Sequence, residues 1–268
     1  MSKLISRPLC LVPLLAILLP MQAIPAGSDG PPTPVLVELF TSEGCSSCPP
    51  ADRVLRILEN KRIAGAEVIV LSEHVDYWDS LGWKDPFSNV QFSIRQQDYA
   101  RMFGSQGVYT PQMIVDGRAE FIGDNQGAAT QEIRKAAARP GATVRIGVLH
   151  IDTPDGGKSV ATVQLAVGDL PQMSRKDDLE VMLAVTEAQI RTRPSRGENA
   201  GASLEHTGVV RTLVRAGRVE GPGFAAKARV TLDPSWNRHA LRVVAFAQER
   251  KSRIVWGAAQ ASLEPPAH

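Results

Sequence analysis

Two thiols carry the most readable chemistry in this chain. Cys45 and Cys48 enclose Ser46-Ser47, and the one other cysteine, Cys10, lies in an apolar leader. A C-x-x-C pair has three uses: thiol-disulfide exchange, a short structural disulfide, or part of a soft metal site. Closing so short a loop restricts the unfolded chain little, and a secreted disulfide framework uses more cysteines over longer spans. Redox chemistry is therefore expected, with Cys45 as nucleophile and Cys48 as the resolving thiol. Zinc needs four ligands, and the sequence offers no second such pair and no cluster of histidines. Copper(I) accepts two thiolates with an imidazole, so Cys45, Cys48 and His74 stay open as an alternative metal site. No diffusible organic cofactor is called for.

The surrounding elements have to aim the pair. Val35-Leu36-Val37-Glu38-Leu39-Phe40 is an apolar run of the kind buried on both faces of a sheet, with Glu38 as its only charge. After the pair, Ala51, Val54, Leu55 and Leu58 recur at helical spacing while Asp52, Arg56 and Glu59 face away. A cysteine between strand and helix meets free backbone N–H groups and the positive end of the helix dipole, which favour the Cys45 thiolate. Pro49 and Pro50 disfavour helical geometry before them, so regular helix is expected only after the motif.

A second strand, Val68 to Leu71, leads into His74-Val75-Asp76-Tyr77-Trp78. Ser88 with Gln91 suggests a capping box for a helix ending at Gly104. A strand opening at Thr110-Pro111, a turn at Asp116-Gly117, a return strand Ala119 to Ile122 and a helix from Asp124 or Asn125 to Arg139 complete a β-α-β-α-β-β-α order. Beyond Pro140-Gly141 the hydrophobic period becomes two, as in Val144, Ile146 and Val148, in Leu179 to Val185, and in Leu241 to Ala245. Six or seven such strands separated by turns such as Pro154-Asp155-Gly156-Gly157 predict an antiparallel β-sandwich. The expected domains are an α/β domain over residues 35–139 and the sandwich over 140–262, with a tail at 263–268.

Lys3 and Arg7 precede the apolar run Leu9 to Leu19, and small residues follow around Ala23 and Ala26. This is the layout of a secretory signal peptide over residues 1–26, followed by a linker at 27–34. The run is too short to span a bilayer, so an exported, secreted or periplasmic protein without stable membrane insertion is expected. Over the 268 residues, 30 Lys and Arg stand against 28 Asp and Glu, and two of the basic residues are in the leader. Near-zero charge gives no broad basic field for nucleic acid. Hydrolase motifs such as G-x-S-x-G and the P-loop are lacking.

The order of strand, Cys45-Ser46-Ser47-Cys48, helix, strand and a Thr110-Pro111 hairpin resembles the thioredoxin superfamily over residues 35–139. The resemblance implies a cis peptide before Pro111, with Thr110 flanking the disulfide. It also implies that Glu38 takes the proton of the resolving cysteine, a role that burial would suit by raising a carboxyl pKa, with an ordinary edge glutamate as the alternative. His74, Asp76 and Trp78 then follow a strand that ends on the same rim of the sheet as the cysteines, and are expected to line a substrate groove, with a packed loop as the alternative. More narrowly, Phe40-Thr41-Ser42-Glu43-Gly44-Cys45-Ser46-Ser47-Cys48-Pro49-Pro50-Ala51-Asp52, His74-Val75-Asp76-Tyr77-Trp78 and Trp83-Lys84-Asp85-Pro86-Phe87 resemble a family of secreted bacterial proteins of unknown function, DUF1223, as do Asn199-Ala200-Gly201 and His206 to Arg211. The expectation is thiol-disulfide exchange with exported proteins, reset by a further redox partner. Copper(I) handling and a non-catalytic protein-binding module are the alternatives. His206 and the Arg191–Gly197 loop are expected as polar connections, or as a face docked on the first domain.

Overall fold

Alternation along the first strand divides two cores. In β1 (Thr33–Thr41), Val35, Val37 and Leu39 join one hydrophobic cluster and Leu36 and Phe40 another, as a strand covered on both faces requires. The chain is seen in a computed structural model that describes residues 31–153, 158–171 and 177–263. The expected leader, the first part of the expected linker, the Pro154-to-Gly157 turn and the tail beyond Leu263 lie outside the described residues. No helix among the described residues is long and apolar enough to cross a membrane.

After β1 come α1 (Cys48–Asn60), β2 (Ala66–His74), a 3-10 turn at Asp79–Leu81, α2 (Val90–Phe103), β3 (Gln112–Val115), β4 (Ala119–Ile122) and α3 (Gln126–Ala137). The remainder is β5 (Thr143–Asp152), β6 (Ser159–Gly168), β7 (Leu179–Glu187), β8 (Ile190–Thr192), β9 (Leu204–His206), β10 (Val209–Arg218), β11 (Phe224–Leu232), β12 (Leu241–Glu249) and β13 (Val255–Ser262). The fold is mixed α/β, with one large sheet and smaller antiparallel ones. The large sheet has eight strands in the order β13-β12-β7-β10-β2-β1-β3-β4, a second has β11-β6-β5, and β8 and β9 form a ribbon. Among the described residues, neighbouring strands of the large sheet are parallel at β10-β2 and β2-β1 and antiparallel elsewhere.

The Pro140-Gly141 break falls between α3 and β5, yet strands from both sides of it share the large sheet through the pairing of Val209 with Ser72. One apolar cluster, with Phe92 and Tyr99 of α2, runs from Leu36 and Ile69 through Val210 to Ala184 and Phe246. On the opposite face α1 and α3 cover Val37 and Val70, while the β5-β6-β11 sheet meets Leu183, Val185 and Val243.

Local expectations shift at several points. Helix α1 begins at Cys48, because prolines in a first turn give up only N–H groups that have no intrahelical acceptor. Asn89, rather than Ser88, caps α2, accepting from Gln91 N at 2.9 Å, while the Ser88 hydroxyl donates to Asp79 Oδ2 at 2.7 Å. Thr33 and Pro34, expected in the linker, pair with Ala66 and Glu67, since a proline is tolerated where a strand begins. The strand expected from Thr110 starts its pairing at Gln112.

Strand β10 was not marked by periodicity, yet it joins the two halves, and Gly208 makes its entry possible. Gly208 has φ +59, a Cβ there would stand 2.7 Å from Val70 O, and its carbonyl accepts Ser72 N at 2.8 Å. Replacing it with alanine, Gly208→Ala, is expected to cost about 2–3 kcal/mol through a strained φ and a displaced β2 backbone. A lowered urea midpoint at unchanged slope checks this, and an unchanged midpoint refutes it.

Candidate functional site

The short turn from β1 into α1 brings the two cysteines together. Cys45 and Cys48 form a disulfide with Cα atoms 5.4 Å apart, and both residues are fully buried at 0% exposure, while Ser46 and Ser47 between them are exposed. The Thr110–Pro111 peptide is cis. Trp78 Nε1 donates to Thr110 Oγ1 at 2.8 Å, and that hydroxyl turns its own hydrogen toward Cys45 Sγ at 3.4 Å. Ser47 Oγ lies 3.3 Å from the same sulfur. Cys45 Sγ thus sits at a helix start among hydroxyl donors, surroundings that favour a thiolate once the disulfide is reduced.

Below the turn is a buried polar cluster centred on Glu43. Its carboxylate accepts Trp83 Nε1 at 2.8 Å and the Thr192 hydroxyl, and meets His206 Nε2 at 3.2 Å. Its backbone N–H donates to Asp85 Oδ2 at 2.7 Å, the same oxygen that lies 2.7 Å from His74 Nδ1. Burial works against the Asp85 charge, but His74 and the Glu43 and Phe87 amides outweigh it and hold the carboxyl down at about 2. Asp52, one helical turn after Cys48, takes a hydrogen bond from Thr41 Oγ1 at 3.1 Å. Asp52 Oδ2 is 3.7 Å from His206 Nδ1, too far for a hydrogen bond but close enough for charge attraction. Burial opposes a charged His206, yet Asp52 and Glu43 prevail and raise it to about 9.

The site residues expected from sequence divide in this geometry. Cys45, Cys48, Thr110, Pro111 and Trp78 come together. His74 is wholly buried, with its ring edge-on to Phe87 and to His206 at 5.2 and 5.0 Å, so it lines no open groove. Its polar contact is with Asp85, not with either cysteine, and no group of three or more His, Cys, Asp or Glu among the described residues is placed to hold a metal. Asp76 turns toward α2, where it is bonded to Ser93.

Glu38 requires a correction. Two-residue periodicity puts it on the face of Leu36 and Phe40, against α2, whereas α1 covers the face of Val37 and Leu39. There it accepts Arg95 Nε at 2.7 Å and the Tyr99 hydroxyl, with no bond to a cysteine. Arg95 also lies 3.4 Å from Glu73, whose pKa is raised well above its ordinary value by burial and by Glu38, against the pull of Arg95.

Sequence reading missed the site roles of Glu43, Asp52, Asp85, Glu198 and Asn199. The excursion between β7 and β10 supplies several partners: Thr192, Glu198, Asn199 and His206 all reach the turn around Cys45 or the cluster beneath it. Nothing local to those residues announces contacts across some 150 positions. Asn199 and His206 lie in strings shared with a known family, whereas Thr192 and Glu198 lie in none.

A family model described as protein of unknown function (DUF1223) matches residues 36–248. The chain belongs to the DUF1223 family. The matched span holds both the cysteine turn and the excursion, so the composite site lies within the DUF1223 region. A structural-genomics protein from Agrobacterium tumefaciens is similar in fold, with a TM-score of 0.65 and 23% identity over 89% of this chain and 98% of its own. HBP35 of Porphyromonas gingivalis gives 0.66 and 20% over 88% of this chain and 78% of its own. No curated protein matches the chain significantly.

His206 makes the stability of this DUF1223 protein depend on pH. A histidine raised from its ordinary value near 6.5 to about 9 contributes fully below pH 6.5, and the contribution is lost as pH rises through 9. The loss amounts to about 3 kcal/mol. Glu73, also raised, acts with the same sign. Urea midpoints are expected to fall between pH 6.5 and 9, and less steeply in His206→Gln; equal slopes in both proteins would refute the assignment.

Proposed function

We propose that this protein is an exported thiol-disulfide oxidoreductase, acting through Cys45 and Cys48 on protein substrates outside the cytoplasm. Its N-terminal half reads as a thioredoxin-like unit, a reading supported by the order β2-β1-β3-β4 with α1 and α3 on one face and α2 on the other. The later half reads as a β-sandwich whose second layer is β5-β6-β11, though one of its layers continues the first half's sheet. The exported location rests on the leader-like layout of residues 1–26.

The single observation that carries the exchange reading is the disulfide at the first turn of α1, with the Thr110 hydroxyl directed at Cys45 Sγ. In the dithiol state Cys45 is the thiolate that attacks a partner disulfide. A Cys45–partner bond forms and the other partner sulfur leaves as a thiolate. Cys48 then loses its proton and attacks Cys45 Sγ, restoring the intramolecular disulfide and releasing the second partner thiolate. Two electrons pass to the partner, and a dithiol protein must return them.

Burial of both cysteines favours a second reading, a structural disulfide. Alkylation and mass analysis across graded glutathione buffers, with metal chelated, separates the two. The exchange reading expects a reversible midpoint between about −120 and −270 mV, and a midpoint below about −300 mV overturns it. It also expects Cys48→Ala to trap a mixed disulfide on Cys45, with no such trapping in Cys45→Ala.

A further inference from the structure

The residues that bond the backbone of the cysteine turn belong to a distant part of the chain. Between β8 and β9 the backbone closes on itself, with Gly201 N donating to Pro194 O at 2.8 Å and Arg193 Nε to Gly201 O at 2.9 Å. Gly197 lets this loop approach closely: its φ is +77, and a Cβ would stand 2.9 Å from Trp83 Cβ. Glu198 and Asn199 are thereby held over the cysteine turn.

Their two side chains do different things. Asn199, 8% exposed, donates from Nδ2 to Glu43 O at 2.8 Å and to Cys45 O at 2.9 Å, fixing the backbone on either side of Gly44. Glu198 is exposed, and its Oε2 accepts Ser46 N at 3.0 Å. That bond engages an amide of the turn carrying Cys45 and puts a negative charge beside it. A carboxylate near a nascent thiolate destabilises the reduced, ionised state relative to the disulfide. Glu43, Asp52 and Asp85 with His206 and His74 lie beneath the turn, Arg53 lines a cavity with Pro49 and Asp52, and Arg193 and Arg196 belong to the same loop as Glu198.

We infer that Glu198 and Asn199 are positioning residues for the Cys45–Cys48 pair: Glu198 biases it toward the disulfide, so that the reduced pair acts as a reductant of partner disulfides, and Asn199 locks the turn that shields it. The inference rests on the exchange reading above, and the electrons are returned by a dithiol protein as stated there.

The test uses the full mature chain as parent, Glu198→Gln, Glu198→Asp and Asn199→Ala. In reduced protein, the pH profile of Cys45 alkylation by iodoacetamide is expected to move to lower pH in Glu198→Gln, raising the rate below the pKa by roughly threefold, with a less negative midpoint potential. Glu198→Asp keeps the charge and is expected to stay near the parent. Asn199→Ala is expected to be reduced by dithiothreitol several-fold faster, with its alkylation profile little moved.

Glu198→Gln and Asn199→Ala profiles superimposable on the parent in every readout overturn the inference, as does a Glu198→Gln shift to higher pH. Glu198 is exposed, so Glu198→Gln carries the charge test even where Asn199→Ala folds poorly. A parent midpoint outside the exchange range, with variants that still shift as expected, sinks the exchange reading and leaves the positioning role. A parent midpoint inside that range with unmoved variants does the reverse.

Discussion

Ser72 donates its backbone N–H to Gly208 O across 2.8 Å, and the composite site depends on that junction. Without β10, β2 would be a sheet edge with unpaired backbone groups, an open invitation to another chain. The register between them is a single pair, Val209 with Ser72, after which β10 leaves β2 and follows β7 from Glu187 to Glu180. The contact is short because its purpose is placement. It sets the residues just before β10 against the end of β2, so His206 comes to lie edge-on to His74 and the β8–β9 excursion reaches the start of α1.

A second constraint fixes the opposite face. Arg95 of α2 bonds Glu38 of β1, lies against Glu73 of β2 and donates to Gln248 of β12 at 2.9 Å. Gln248 in turn donates to the Tyr99 hydroxyl at 2.9 Å and to Arg253 O at 2.7 Å. Apolar side chains alone would tolerate small slips of α2 across the sheet, whereas directional bonds in a low-dielectric interior permit one register. The cost is that each member needs its partners, because a buried charge left alone is far less stable than the pair. Burial, aided by the neighbouring Glu38, raises Glu73 well above its ordinary value against the pull of Arg95.

Much of the N-terminal half was legible because its signals are local. The apolar run of β1, the amphipathic spacing of α1, the Gly104 stop and the Asp116-Gly117 turn each lie within a few residues of the feature they specify. Strand β10 was not legible, since irregularities between Val210 and Thr212 and between Arg215 and Gly217 break the two-residue alternation that would have marked it. The sequence separates the two halves at Pro140-Gly141 by a change of period, but strand pairing across that break is a tertiary fact. Glu38 was conspicuous as a charge in an apolar strand, yet only the face it occupies decides its partner, and that partner is Arg95. Glu43, Asp52 and Asn199 gave no local sign, because what they touch is supplied from the other half of the chain.

The same long-range supply bears on how the disulfide can be reached. Three hydrogen bonds, two from Asn199 and one to Glu198, hold the loop on the turn. At a net value of about 1 kcal/mol each, releasing them costs about 3 kcal/mol, so an opened turn would be populated at roughly one part in a hundred. A small thiol recovers none of that cost, because it offers no replacement donors for Glu43 O and Cys45 O. A polypeptide partner carries backbone N–H groups that can bond those carbonyls as the loop leaves, and it offsets the opening with its own binding. On the exchange reading proposed above, a turn held in this way favours partners that can bond those carbonyls over small thiols.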